Sequence, residues 1–240
     1  MEEKNYKNNL VIGIEGYVGA GKTSICRRLL DIIPRSVLLN GGNLYRAIMY
    51  ILLKNGEKLD ELKKNLNHID IKKVMDMLKI EIRIENKESV FYCDGEKIKE
   101  EDLQSRASSI AVSQIGGIAD NSKLFDFARN LINMLRQNYN VIVSGRGLMD
   151  IYPNLDYHFF IVADIEERAK RKRSQYNNDI SIEEIKKHIE ERDDLQRKSG
   201  FYKISDNTKI IDVTNCSNVE ESTNKVFNEI NLVRECNISN

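Results

Sequence analysis

The chain has 240 residues, 41% of them apolar and 31% charged, with only two Pro; this suits one large α/β domain with insertions, or two small ones, and excludes a disordered chain. Lys plus Arg and Asp plus Glu number 37 each, so no net positive field of the kind that binds nucleic acid is present and any anion site must be local. No apolar run nears the roughly 18 residues of a bilayer-crossing helix, and the acidic, Asn-rich start has no signal-peptide pattern, so a cytoplasmic protein without a membrane partner is expected.

Leu10-Val11-Ile12-Gly13-Ile14 is apolar without helical period and runs into a glycine-rich stretch, which reads as a buried parallel strand. Ile25, Leu29, Leu30 and Ile33 then mark the apolar face of a helix that Pro34 ends. Ser36-Val37-Leu38-Leu39 reads as a second buried strand, Gly41-Gly42 as a turn, and Leu44, Ala47, Ile48 and Ile51 as the face of a second helix. Alternation over residues 80–84, the apolar Val90-Phe91-Tyr92 and the turn pair Asp94-Gly95 predict a small antiparallel hairpin interrupting the parallel pattern. Two helices follow, over residues 103–115, ending at Gly116-Gly117, and over residues 124–135. Residues 141–143, 159–162 and 210–213 are further strands, with helices between them.

Gly16-Tyr17-Val18-Gly19-Ala20-Gly21-Lys22-Thr23 fits G-x-x-x-x-G-K-[ST] between a predicted strand and a predicted helix, the context a phosphate loop requires. Its glycines allow backbone angles and close approaches that turn successive N–H groups toward phosphate oxygens. Lys22 reaches the β- and γ-phosphates, the Thr23 hydroxyl ligates Mg²⁺, and the helix N-terminus with Ser24 completes the anion site. The cysteines form no CxxC pair and His68, His158 and His188 show no ligand spacing, so any metal is expected to arrive with the nucleotide. The loop alone fits several classes of nucleotide-using protein, but the N/T-K-x-D segment of a GTPase is missing and the chain is short for a motor, which leaves a small-molecule kinase.

The loop, the stretch Leu39-Asn40-Gly41-Gly42-Asn43-Leu44-Tyr45-Arg46-Ala47 and Ser144-Gly145-Arg146, in that order, resemble bacterial cytidylate (CMP/dCMP) kinases. The counterparts extend to Asp94-Gly95-Glu96, to Ala163-Asp164 with the basic run through Lys172, and to Glu191-Arg192-Asp193-Asp194, so the similarity covers nearly the whole chain. It implies an α/β P-loop kinase with a parallel core sheet flanked by helices, an inserted nucleoside-monophosphate-binding subdomain over about residues 67–118, and a helical lid over about residues 168–200. The activity implied is transfer of the γ-phosphoryl of ATP, with Mg²⁺, to CMP or dCMP by a monomer that needs no nucleic acid.

By the same resemblance Lys22, Arg146 and Arg171 are expected to be catalytic, and Arg168 joins residues 16–24 in holding ATP. Arg46, Ser113, Arg146, Arg192, Asp194 and Arg197 are expected to hold the acceptor. Guanidinium forks suit that task because they bind phosphate bidentately and screen the repulsion between two phosphorylated ligands. The chain departs from the family pattern at Asn40 and Gly41 (Asp, then Ser or Thr), at Ser122 (Arg) and at Gly147 (Asp of G-R-D), with Asp150 a candidate replacement for that last carboxylate. A kinase of the same fold with another acceptor, and a non-catalytic nucleotide-binding regulator, therefore stay open beside the CMP/dCMP reading.

Overall fold

The computed structural model describes residues 9–54, 56, 75–76, 79–103, 122–173 and 180–230. In chain order the elements are β1 (Val11–Gly16), α1 (Lys22–Ile32), β2 (Ser36–Asn40), α2 (Gly41–Lys54), β3 (Ile80–Glu85), β4 (Glu88–Cys93), β5 (Glu96–Lys97), α3 (Glu100–Leu103), α4 (Ser122–Arg136), β6 (Asn140–Ser144), α5 (Leu148–Ile151), β7 (Tyr157–Val162), α6 (Ile165–Arg173), α7 (Ile182–Lys198), β8 (Thr208–Asp212) and α8 (Val219–Phe227). The strands form one sheet in the order β3-β4-β2-β6-β1-β7-β8, with β5 paired to β4. From β2 to β8 every neighbour is parallel, and β1 lies between β6 and β7 with Ile14 opposite Ser144 and Phe159.

Helices cover both faces of that parallel core, which is why its strands read as continuous apolar runs. Ile12, Ile14, Leu38, Ile142, Phe159 and Ile161 pack with α1 and α8 on one face. Val11, Val37, Leu39, Val141 and Val143 alternate with them and pack under α4 and α5 on the other. The register is fixed because a slip of one residue would exchange the two sets.

The predicted antiparallel hairpin is present as β3 with β4, and β4 joins the edge of the sheet beside β2. Leu38 N donates to Lys87 O at 2.7 Å, and Arg27 of α1 forms a bidentate pair with Glu88 at 2.9 and 3.1 Å. Its first turn is Asn86-Lys87, both with positive φ (49° and 67°), a site the sequence reading passed over; Asp94-Gly95, also positive, makes the second turn, into β5. A further correction concerns Gly41-Gly42, which begin α2 and do not form a separate turn. Asn40 Oδ1 accepts from Asn43 N at 3.2 Å, so Asn40 caps the helix and the glycines are its first residues. Of the helix expected over residues 103–115 only Leu103, in α3, is described; the rest, with Gly116-Gly117, lies outside the described residues.

Helix α7 starts at a capping box. Glu184 N donates to Ser181 Oγ (3.2 Å) while Ser181 N donates to the Glu184 carboxylate (3.1 Å), so both partners satisfy donors that a helix start leaves open. Helix α7 packs on α6 through Ile185 and Ile189, which cluster with Ala169 of α6 and Val18 of the glycine loop.

Candidate active site

The parallel strands deliver their carboxyl ends to one edge of the sheet, where open α/β folds bind ligands. From that edge β1 leads into the glycine loop, β2 into α2 with Arg46, β6 into Arg146, and β7 into α6. Gly16, Gly19 and Gly21 all have positive φ (142°, 81° and 93°). At Gly16 a Cβ would stand 2.1 Å from Ile161 O, so the loop can leave β1 beside β7 only without a side chain. Gly21 occupies the N-cap of α1 and gives it no side-chain cap, which leaves the first amides of the helix open toward an anion. Thr23 and Ser24 follow on the exposed face of that first turn.

Lys22 lies over the loop, with Nζ donating to Gly16 O (2.8 Å) and Tyr17 O (2.7 Å). Burial lowers its pKa to about 7, and the nearby Arg146 and Arg192 add to the effect. The same repulsion recurs across the site. Burial, then Arg192 and Arg46, bring Arg146 down to about 10; burial, then Arg192, Arg46 and Arg146, bring Lys172 down to about 8. Arg46 is lowered by burial and by Arg192. Lys22, Arg46, Arg146 and Lys172 thus converge on Arg192, which each of them senses.

Gathering like charges in a partly desolvated place costs energy unless an anion completes it. The carboxylates that offset these cations are Asp193 near Lys22 and Arg146, and Glu100 near Arg46. The buried Nε atoms of Arg46 and Arg146 have no hydrogen-bond partner among the described residues, so both forks keep a donor for a ligand. Beside them a cleft is lined by Leu44, Tyr45, Ile132, Val143, Arg146 and Leu148. The Tyr45 hydroxyl is likewise buried without a partner, and burial pushes its pKa up.

Not every basic residue expected in the site joins this group. Arg168 is buried and pairs with Asp193, while also donating to Val18 O (3.1 Å) and lying 5.1 Å from the Tyr17 ring centre. Arg171 donates to Glu167 (3.0 Å), Ala20 O (3.4 Å) and Val213 O (2.9 Å), bracing the loop against the chain after β8. Both touch the phosphate loop, Arg168 at Val18 O and Arg171 at Ala20 O. Arg197 pairs with Asp194 on the exposed side of α7 and also interacts with Tyr17 of the glycine loop. Ser113 lies outside the described residues, and nothing is described of the Ser122 side chain.

Sequence reasoning missed Asp193, the residue before the one it named. Its carboxylate accepts from Val18 N (3.0 Å), Tyr202 Oη (2.6 Å) and Arg168, so α7 and α6 are tied to a loop amide and not only packed against Val18. It missed Glu15 as well. This buried carboxylate accepts from Leu148 N (3.2 Å) and lies 2.7 Å from His158 Nε2, whose Nδ1 is 2.8 Å from Thr208 Oγ1. Glu15 thereby links the residue before the phosphate loop to the segment after Arg146. Among the described residues, no group of three or more His, Cys, Asp or Glu is placed to hold a metal ion, and no helix is long and apolar enough to cross a membrane.

Comparison with known proteins agrees with this arrangement. The sequence model of the family described as "Cytidylate kinase" matches residues 12–232. A cytidylate kinase of Fusobacterium nucleatum is 29% identical over 237 residues, covering 95% of this chain and all of the relative. One of Clostridioides difficile is 29% identical, covering 93% and 99%, and one of Aquifex aeolicus 30%, covering 90% and 93%. The phosphate loop, the arginines on α2 and after β6, and the basic pair of helices therefore stand in a chain that belongs to the cytidylate kinase family.

Proposed function

We propose that the chain transfers the γ-phosphoryl group of ATP to CMP or dCMP, giving ADP and CDP or dCDP. The observation that carries this reading is the convergence of Lys22, Arg46, Arg146 and Lys172 on Arg192 beside the glycine loop, where burial first and then their mutual repulsion lower the pKa of those four. Two phosphorylated nucleotides placed end to end supply the negative charge that such a group requires. Phosphoryl transfer asks for positioning and for cations over charge spread on the transferred group, and no strong general base is needed.

In this reading residues 16–24 hold the triphosphate and Lys22 bridges toward the γ-phosphate. Arg46, Arg146 and Arg192 hold the acceptor phosphate, the Nε donors of the first two having no partner among the described residues. Thr23, exposed at the first turn of α1, fits a Mg²⁺ ligand; the ion would neutralise charge on the phosphates. Arg171 is proposed as a further catalytic cation and Arg168 as an ATP contact, both beside the loop residues they touch. Ser113 remains the proposed base contact, and Asp194 and Arg197 are proposed only for a closed form in which α7 turns further over the site. Helices α6 and α7, about residues 168–200, serve as the lid, and about residues 67–118 as the acceptor-binding insert. Closing them over both nucleotides excludes water and limits ATP hydrolysis. A cytoplasmic monomer is proposed with them.

A second acceptor class is favoured by one observation: Gly147 has φ 62° and Phe201 against it where the family pattern has a carboxylate, so base reading differs locally. A site that reads a base by hydrogen bonds changes preference when a reader is changed. ADP release coupled to NADH oxidation, with ATP-Mg²⁺ and a panel of monophosphates and nucleosides, tests both. CMP and dCMP are expected to give the highest kcat/KM. Turnover confined to another acceptor contradicts the CMP/dCMP assignment, and ATP binding without any turnover favours a regulator.

A further inference from the structure

We infer that buried Glu15, steadied by His158 and Thr208, is a positioning residue for phosphoryl transfer, holding Arg146 of the acceptor side at a set distance from the phosphate loop. The role rests on the two-nucleotide reading above and adds to it a side chain that meets neither nucleotide, being only 1% exposed.

Arg146 stands in a turn that leaves the sheet where β6 ends. The parallel ladder of β6 with β1 closes at Ser144 opposite Ile14, and beyond it two bonds still tie the turn to β1. Gly145 N donates to Ile14 O at 3.3 Å, and Leu148 N donates to Glu15 Oε1 at 3.2 Å. The arginine is therefore bracketed by consecutive residues of β1. The next residue of that strand, Gly16, opens the phosphate loop and accepts from Lys22 Nζ at 2.8 Å. Leu148 N is an amide at the open start of α5, and Gly147 at the N-cap has no side chain to accept from it. A local Ser or Asn cap would satisfy that amide equally well but would leave the turn untied. A carboxylate reaching across from β1 satisfies it and also sets the separation of two strand ends.

Burying a carboxylate costs energy unless its oxygens are bonded, and here the second oxygen is bonded too. Glu15 Oε2 lies 2.7 Å from His158 Nε2, and His158 Nδ1 lies 2.8 Å from Thr208 Oγ1. A carboxylate only accepts, so Nε2 carries the proton and Nδ1 accepts from the Thr208 hydroxyl. Thr208 opens β8 directly opposite His158, and its oxygen accepts from Ser205 N at 2.9 Å. Both ring nitrogens are thus occupied, and β1, β7 and β8 each contribute one member of the chain.

The bracket works against a load. Arg192 and Arg46 crowd Arg146, and after burial they help to bring its pKa down to about 10, so repulsion favours movement of the fork away from the site. The phosphate loop has anchors of its own: Tyr17 N donates to Ile161 O at 3.1 Å and Val18 N to Asp193 at 3.0 Å. Loss of the Glu15 carboxylate consequently shifts the Arg146 side of the site and leaves the loop in place. Misplacing a group that holds substrate by about 1 Å can cost about a hundredfold in rate, and here the cost falls on the acceptor and not on ATP.

Steady-state kinetics in both substrates, for the wild-type chain, Glu15→Ala and Glu15→Gln, test this role. Glu15→Ala is expected to lower kcat/KM for CMP by about tenfold or more while KM for ATP stays within about twofold. Glu15→Gln is expected to recover kcat/KM for CMP to within about threefold of wild type. Its amide oxygen can accept from Leu148 N, and its amide N–H can donate to His158 in the other tautomer. A CMP loss under about threefold in Glu15→Ala, or equal losses for CMP and ATP, overturns the inference. A Glu15→Gln variant as impaired as Glu15→Ala overturns it too, because charge and not position would then be what matters. If Glu15→Ala does not accumulate as folded protein, Glu15→Asp takes its place. One methylene shorter, it cannot hold both partners, and the same split between CMP and ATP is expected at about threefold or more. Wild-type turnover of another monophosphate in place of CMP contradicts the CMP/dCMP assignment alone, and the variants are then compared on that acceptor with the same thresholds; a wild type that phosphorylates none overturns both.

Discussion

Removing the Asp193 carboxylate perturbs the joint between the phosphate loop and helices α6 and α7, and the cost can be worked out from its contacts. In Asp193→Ala the Arg168 guanidinium, only 8% exposed, loses its counter-charge, Val18 N loses its acceptor and Tyr202 Oη loses its partner. Breaking a buried ion pair from one side costs about 3–5 kcal/mol, and a buried amide left unpaired adds about 1–3 kcal/mol where water cannot reach it. Taking about 4 kcal/mol as the net loss, and about 2–4 °C per kcal/mol for a domain of this size, Tm falls by roughly 10 °C. Thermal unfolding followed by circular dichroism measures it. Arg168→Ala should cost a similar amount, because it leaves the carboxylate buried with one charged partner fewer. The double variant should then be more stable than the sum of the two losses predicts, by about 2 kcal/mol, since neither charge is left alone. A shift under about 2 °C in Asp193→Ala, or losses that simply add, would refute this account of the joint.

The lowered pKa of Lys22 gives a pH prediction whose sign is fixed. The free protein holds this amine near half-protonated at pH 7, whereas a bound triphosphate favours the ammonium, so binding takes up a proton and ATP affinity weakens as pH rises above about 7. Calorimetric titration in buffers of different ionisation enthalpy should give about 0.9 proton taken up per ATP at pH 8, and no uptake there would contradict the shift. Arg46→Ala is expected to raise KM for the monophosphate at least about tenfold while KM for ATP stays within about twofold; equal changes in both would remove Arg46 from the acceptor side. Gly16→Ala should destabilise by at least about 3 kcal/mol, because the new methyl meets Ile161 O, and an unchanged urea midpoint would show that the backbone of β1 and β7 gives way freely.

What the sequence made legible was local. The glycine loop is written in consecutive residues, and the strands around it are recognisable because burial on both faces leaves no polar alternation. Arg46 and Arg146 could be found because each sits in a short motif at the end of a strand. Asp193 and Asp194 could not be told apart by motif, since they are adjacent in it. A helix turns about 100° per residue, which puts Asp193 against Val18 and leaves Asp194 with Arg197 in solvent. A signal was available: Ile185 and Ile189 mark the inward stripe of α7, and its continuation at helical spacing falls on Asp193 and Gln196, both buried. Glu15 and His158 are 143 residues apart and meet only because β1 and β7 are neighbours, so no local pattern could announce them. At Gly41-Gly42 composition suggested a turn, but the Asn40 side chain had already supplied the helix start.

ATP's terminal phosphoryl group is expected to pass to a pyrimidine monophosphate and not to water. Phosphorus NMR of a reaction containing equal ATP and CMP, with Mg²⁺, observes every product at once. The account predicts that ADP and CDP appear together in equal amounts, and that Lys22→Ala produces neither. ADP accompanied by inorganic phosphate, with CMP unchanged, would contradict it.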